Sequence, residues 1–512
     1  MTSDRTGRIA KNTLLLYVQT LLAMFLALYT SRVLLDIVGV EDYGLYNVVG
    51  GLVVIFSLIS SSMAASTSRF LTFELGKGNQ ERLSHIFSTA FVIHVIIGLI
   101  VVALLESVGL WFLLKEMQIP EGRQEAAIWV FHCSVAGVFI GIINTPYIAV
   151  ITAYERFYVF TYFALIDLLL KLLIVFLIQY IHYDQLKVYA VLFVLVQIVV
   201  QQLNRWYGRR YFQETRKRFV WNKKLTKEMT SFAGWSMFDK VSFMMYTQGL
   251  NLILNLFFGT TINAARGIAV QVQGLVIRLI GNFQHTIQPQ ITKSYATGDR
   301  SDMHRLVYSS SKFSFCLLLL MSIPIFFETQ FLLNIWLTVV PEHTIIFVRI
   351  MLLVSFVECF ANPLNVSAYA TGKIKTFNIV TGGMMLVIMP VAYLLLKLGF
   401  PPESVFLTHL SIALITQLVR MVMVKSLIGL SLVEYWQKVL FKSLLLFVIV
   451  SGVTWGIYST IEASLIRFGA VTLVSTTLII VLTYFLVMNA DEKQWFQNVF
   501  RAKLLSENDD RE

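Results

Sequence analysis

Fourteen apolar stretches, each long enough to cross a bilayer, run from near residue 12 to near residue 488. No other feature of the chain constrains its fold as strongly. A hydrocarbon core about 30 Å thick takes roughly 20 apolar residues per helix. Lipid offers backbone groups no hydrogen bonds, so only helices or closed barrels can span it. The stretches are continuous and leucine-rich rather than alternating, which predicts helices. They fall near 13–35, 43–66, 87–114, 127–153, 157–180, 188–204, 229–258, 264–285, 313–338, 345–370, 377–396, 404–424, 443–460 and 468–489. With 57% hydrophobic and 14% charged residues, 512 residues cannot form a soluble domain. The expectation is an all-α polytopic membrane protein with 14 transmembrane helices.

The Lys/Arg distribution sets the orientation. With a cytoplasmic N-terminus, 30 of the 41 Lys and Arg fall on inner segments. Five fall on outer loops: Lys115, Arg123, Lys187, Lys397 and Arg467. Adding or removing one span scrambles this alternation, so both termini are expected inside. The net charge of +11 then reflects attraction to anionic headgroups, not nucleic acid. Its densest cluster, from Arg205 to Lys227, reads as a linker on the inner leaflet between spans 6 and 7. Arg5, Arg8 and Lys11 ahead of an apolar run resemble a signal peptide. The run is too long and lacks a small-residue cleavage site, so it reads as span 1. Cys133, Cys316 and Cys359 all lie in spans, without metal spacing, and read as small apolar filler. No metal or other cofactor is expected.

A weak internal repeat recurs at an offset near 220. Gly39, Tyr43, Gly44 and Asn47 precede or open one span; Gly259, Asn263, Ala264 and Gly267 do the same in the second half. Gly76 and Gly78 answer to Gly298, and Asn144 with Pro146 to Asn362 with Pro363. Spans 1–6 and 7–12 are therefore expected to be parallel six-helix repeats forming two lobes. The divisions are an N-terminal lobe at 1–204, a basic linker at 205–228 and a C-terminal lobe at 229–426. Two extra helices at 427–490 and a cytoplasmic tail at 491–512 complete the chain. Two such lobes imply a cavity between them near the bilayer midplane.

Charged residues inside spans cost about 2.5–3.5 kcal/mol on the insertion scale if they face lipid. The basic ones are Arg32, Lys171, Lys240, Arg266, Arg278 and Arg349; the acidic ones are Glu106, Asp167, Asp239 and Glu358. Asp167 and Lys171 have the spacing of an intrahelical ion pair. Asp239 and Lys240 are adjacent, point to different faces, and each needs a partner on another helix. Glu358 could neutralise an arginine such as Arg278, or carry a coupling proton or cation. Glu106 and Arg349 lie toward the outer side, where snorkelling suffices. Arg32, Arg266 and Arg278 have no carboxylate one turn away. Each could form an interhelical salt bridge, or together they could line an anion site, since guanidinium groups suit diphosphate oxygens.

The chain carries Arg8–Ile9–Ala10–Lys11–Asn12–Thr13, Leu28–Tyr29–Thr30–Ser31–Arg32 and Gly39–Val40–Glu41–Asp42–Tyr43–Gly44. Its second half carries Asn263–Ala264–Ala265–Arg266–Gly267, Pro289–Gln290–Ile291–Thr292–Lys293–Ser294–Tyr295 and Ala370–Thr371–Gly372–Lys373. Along nearly its whole length it resembles the polysaccharide and lipopolysaccharide export flippases of Bacteroidetes-type bacteria. Those belong to the multidrug/oligosaccharidyl-lipid/polysaccharide exporter superfamily. The resemblance implies an inner-membrane protein that moves an oligosaccharide on a polyprenyl diphosphate from the cytoplasmic to the periplasmic leaflet. It implies membrane lipids and polysaccharide polymerase machinery as further partners. It places the diphosphate at positions matching Arg32, Arg69, Arg266 and Arg278, although Arg69 also suits a topology role.

Two rival classes remain. A cation-coupled multidrug exporter of the same superfamily should depend on intramembrane acids such as Asp239 or Glu358. A membrane enzyme should present a substantial outer loop with catalytic residues, and here the outer loops are short and poor in His. No phosphate-cradling loop of the Walker type is present, so an ATPase is not expected. His85, His304 and His343 sit in loops and read as solvated residues.

Overall fold

The computed structural model of the chain describes residues 12–23, scattered positions between 26 and 49, and residues 57–494 and 497, apart from 116, 118, 120, 121, 182, 217–220, 338 and the two residues before 497. The helices, in order, are α1 (Asn12–Ala23), α2 (Ser57–Lys77), α3 (Gln80–Lys115), α4 (Gln124–Ala153), α5 (Phe157–Ile178), α6 (Gln185–Tyr211) and α7 (Lys223–Gly259). They continue with α8 (Thr261–Ala296), α9 (Arg300–Phe327), α10 (Thr344–Ala370), α11 (Lys375–Lys397), α12 (Glu403–Ile428), α13 (Leu432–Thr460) and α14 (Leu465–Val487). A short helix, Thr329–Trp336, follows α9. Helices α3 to α14 are each long and apolar enough to span a bilayer. They coincide one for one with the last twelve predicted spans. Of the first two spans only parts are described, mainly α1 and the start of α2.

Large apolar side chains such as Leu252, Leu473 and Ile466 are more than two-thirds exposed. On a soluble protein such a surface aggregates; around a helical bundle it is the lipid-facing wall. This is a multi-pass membrane protein.

The chain forms two compact units, residues 11–240 and residues 241 onward. The division falls inside α7, not in the basic segment before it. The reason is packing: Ser66 Oγ donates to the Met229 carbonyl at 2.9 Å and Phe70 packs edge-on to Phe232 at 6.1 Å. The start of α7 thus belongs to the first unit. The basic segment is also more ordered than a free linker. Arg205, Arg209 and Arg210 are helical residues of α6. Glu214 and Thr215 are buried in a short 3-10 turn, where Gln80 Nε2 reaches Glu214 at 3.2 Å.

Among the described residues, eight of the ten with left-handed backbone recur in pairs at a nearly constant offset, Gly399 and Gly429 being the exceptions. Gly39 pairs with Gly259 and Gly78 with Gly298, each 220 apart; Gly122 pairs with His343, 221 apart, and Glu155 with Gly372, 217 apart. Glycine carries no Cβ penalty in this region, which explains six of the eight. Gly78 and Gly298 each precede a helix cap: Asn79 accepts from Arg82 N, and Asp299 from Asp302 N. The parallel plan of the two halves is thus written into their turns.

In the first unit α4 and α6 lie close together. A Cβ on Gly208 would come within 2.8 Å of the Tyr147 ring, so glycine there is what lets the helices approach. In the second unit α13 and α14 are tied to α9. Tyr435 donates to Ser311 Oγ at 3.0 Å, and Lys312 Nζ meets Glu492 at 2.5 Å. At the end of α9, Glu328 accepts two hydrogen bonds from Arg467, at 2.7 and 2.9 Å. Lys312 and Arg467 therefore serve as packed structural partners, not free loop charges.

Candidate functional site in the second unit

Helix α8 carries a buried polar stripe. Arg266, Gln273 and Gln284 are spaced by 7 and 11 residues, close to two and three turns, and all are less than a tenth exposed. Arg266 reaches back to α7, donating to Asn251 Oδ1 and, at 2.9 Å, to the Thr247 carbonyl. Gln273 donates to Ser355 Oγ at 3.1 Å on α10. Gln284 donates to Ser314 Oγ and to the Cys359 carbonyl, both at 3.0 Å.

Helix α10 breaks at that point. It runs from Thr344 to Glu358, turns through Cys359 and Phe360, and resumes at Ala361. Pro363 has no N–H to give the Cys359 carbonyl four residues before it. Irregular backbone in a bilayer persists only where protein satisfies it. The break leaves Glu358 as the last residue of the first segment.

Glu358 meets His409 of α12: its Oε1 lies 3.3 Å from His409 Nε2. The Tyr246 hydroxyl of α7 lies 3.5 Å from the same nitrogen. Three helices thus bring a carboxylate, an imidazole and a phenol into one line. Two cavities flank it. One, of about 50 Å³, is lined by Tyr246, Arg266, Gln273 and His409. The other, of about 20 Å³, is lined by Glu358, His409, Gln417 and Arg420. His409 forms part of both walls.

The other sequence-derived candidates are dispersed. Arg32 lies outside the described residues. Arg278 is exposed near the middle of α8 and, among the described residues, forms no ion pair. Arg69 stands over the rings of Phe70, Phe73 and Phe232 at 4.8, 4.9 and 5.8 Å, a cation–π cage in the first unit. Asp167 and Lys171 form an ion pair at 2.7 Å, with the ammonium 4.8 Å from the Phe193 ring. Lys240 donates to Ser61 Oγ at 2.9 Å, and Asp239 is partly buried. Glu106 pairs with His132 at 2.9 Å, and Arg349 donates to the Phe326 carbonyl at 3.1 Å.

Glu358 therefore has His409 as its partner, not Arg278. The reason is register: His409 lies across the bundle interior from the α10 break, whereas Arg278 lies a third of a turn off the buried stripe of α8. Arg420, counted with the inner-loop charges although the predicted span 404–424 contains it, is 4% exposed within α12. His304 and His343 are not simply solvated either. His304 contacts the Ile428 carbonyl at 3.0 Å, and His343 contacts Glu403. The glutamines of α8 were the missed signal: polar residues at helical spacing in an apolar run.

No known protein-family signature matches the chain, and no curated protein does. Solved structures match its fold. A MATE transporter, ClbM, in complex with Rb+ is 15% identical, with a TM-score of 0.71 over 84% of this chain and 96% of that one. An outward-facing multidrug resistance MATE family transporter of the MOP superfamily is 13% identical, with a TM-score of 0.70 over 83% and 96%. A MATE transporter in the bent conformation is 13% identical, with a TM-score of 0.69 over 83% and 96%. The fold of this chain is the one these transporters share.

Proposed function

We propose that this chain is an ion-coupled exporter of the MATE type, with Glu358 carrying the coupling ion or proton. The observation that carries this reading is the line Glu358–His409–Tyr246 beside two internal cavities. A carboxylate inside a spanning helix is costly, and such residues mark ion and proton pathways. His409 Nε2 faces two partners at once. When Glu358 is ionised, an Nε2–H donates to it. When Glu358 holds a proton, Glu358 donates to Nε2 and the Tyr246 hydroxyl must turn elsewhere. Loading or unloading Glu358 thus changes contacts among α7, α10 and α12, a discrete change that can bias a conformational equilibrium. The shared fold with multidrug transporters supports the same reading.

The test is efflux of a cationic dye, ethidium, from membrane vesicles under imposed proton or sodium gradients. Wild-type efflux should accelerate with the gradient, and Glu358→Gln should lose that dependence. A full gradient response in Glu358→Gln at equal expression overturns the proposal.

A lipid-linked glycan flippase is the second reading, favoured by Arg278. This arginine sits exposed near the middle of a spanning helix without a carboxylate partner among the described residues, which suits an anionic diphosphate. Arg266, Arg69 and Arg32 complete that reading, which keeps the chain in a bacterial inner membrane with both ends cytoplasmic. Its test is Arg278→Ala: lipid-linked glycan should accumulate on the inner leaflet, and normal surface export removes the reading.

A further inference from the structure

A third cleft shares Gln417 in its wall with the cavity beside Glu358. It opens between α9, α10, α12 and α13 and has a volume of about 420 Å³. Its wall is almost wholly apolar, with Phe356 and Phe447 edge-to-face at 5.2 Å and Trp436 at the rim. Two polar side chains interrupt it, Gln417 and Ser443. Both are buried, 6% and 2% exposed. Gln417 Oε1 accepts from Arg420 Nη1 at 2.8 Å, which leaves its amide nitrogen, Nε2, without a partner. Ser443 Oγ is also without one. Buried donors are normally satisfied, and an unmet one in an apolar wall costs free energy. A large apolar pocket with a few convergent polar groups is the usual form of a small-molecule site. The backbone adds a second mark: Trp436–Leu440, which contributes two wall residues, is a π-helical stretch inside α13, a distortion often found at functional sites.

We infer that this cleft is a binding site for a hydrophobic, aromatic molecule with one hydrogen-bond-accepting oxygen, entering from the bilayer. A turn of the Gln417 and Ser443 side chains, whose donor atoms are shielded from solvent, brings Nε2 and Oγ to that oxygen, and the phenylalanine rings cover the body of the ligand. A charged headgroup does not fit, because the wall offers hydrogen bonds but no charge of its own. The site is independent of ion coupling: it stands whether or not Glu358 carries an ion. Gln417 does line both this cleft and the Glu358 cavity, so a ligand here also touches the wall of the ion site.

The probe is tritiated benzophenone, an aromatic ketone that inserts into nearby C–H bonds under ultraviolet light. It is applied to the purified full-length protein in phosphatidylcholine nanodiscs, and labelled peptides are mapped. Saturable labelling confined to the cleft-lining segments of α9, α10, α12 and α13 is expected. Gln417→Leu keeps the volume and removes the donor, and should weaken half-saturation about tenfold. Leu414 is 50% exposed, so Leu414→Trp fills the cleft without disturbing the core and should abolish the saturable component. If Gln417→Leu fails to fold, Leu414→Trp decides alone. Labelling that rises linearly with probe and scatters over all lipid-facing helices shows mere partition into lipid and overturns the inference. Unchanged saturable labelling in Leu414→Trp does the same.

Discussion

Gln284 Nε2 donates to the Cys359 carbonyl at 3.0 Å, the carbonyl that Pro363 leaves without its helical donor. The same amide nitrogen also reaches Ser314, so one side chain of α8 holds α9 and the break of α10 together. The position of Glu358 depends on this arrangement, since Glu358 ends the segment before the break.

Gln284→Leu is predicted to destabilise the protein by about 1–3 kcal/mol, the cost of an unmet buried polar group. Thermal unfolding in detergent checks it. A midpoint equal to that of the wild type means that the break is held by something other than Gln284.

Arg467→Ala removes the partner of Glu328, whose side chain is fully buried. An uncompensated buried charge typically costs about 3–5 kcal/mol. Adding Glu328→Gln to this variant should recover most of that loss. The comparison of single and double variants in denaturant unfolding decides whether the charge, rather than the packing, carries the effect.

The first unit should lose stability in acid through Asp184. Burial works against its ionisation, but hydrogen bonds from Arg123 and from the Lys187 backbone outweigh it, so its pKa lies below the usual 3.8. Arg123 meets Asp184 at 2.8 Å and also contacts Asp42. A carboxyl group depressed in the folded state stabilises above its unfolded pKa, and the contribution fades as pH falls through the folded value. Asp184→Asn should therefore be less stable than wild type at pH 7, and the gap should close below pH 3.8. A gap that persists at low pH assigns the loss to packing.

Gly372 adopts a φ of +77° after α10. Gly372→Ala should cost on the order of 1 kcal/mol, because a Cβ is disfavoured there. Open space surrounds Gly298, whose φ is +82°, so Gly298→Ala should lose a similar amount through strain alone. Equal midpoints for both variants and the wild type exclude left-handed strain at these turns.

Helix count and periodicity were legible because each of the last twelve spans carries its own apolar run. The repeat was legible at Gly78 and Gly298 because a left-handed turn selects glycine locally. Glu358 stood out as an acid in an apolar run, but its partner did not, because His409 is 51 residues away and no local pattern joins them. Arg420 was counted with the loop charges because a charge near a span end looks the same in sequence whether it is solvated or buried.

Hydropathy and turn chemistry act over a few residues, so the amino-acid order alone determined that the chain crosses the membrane many times in two similar halves. Which buried polar groups meet was decided only by helix packing. Partners such as Glu358 and His409 are brought together by the rotation and register of helices far apart in the chain, and those depend on every side chain in the bundle at once.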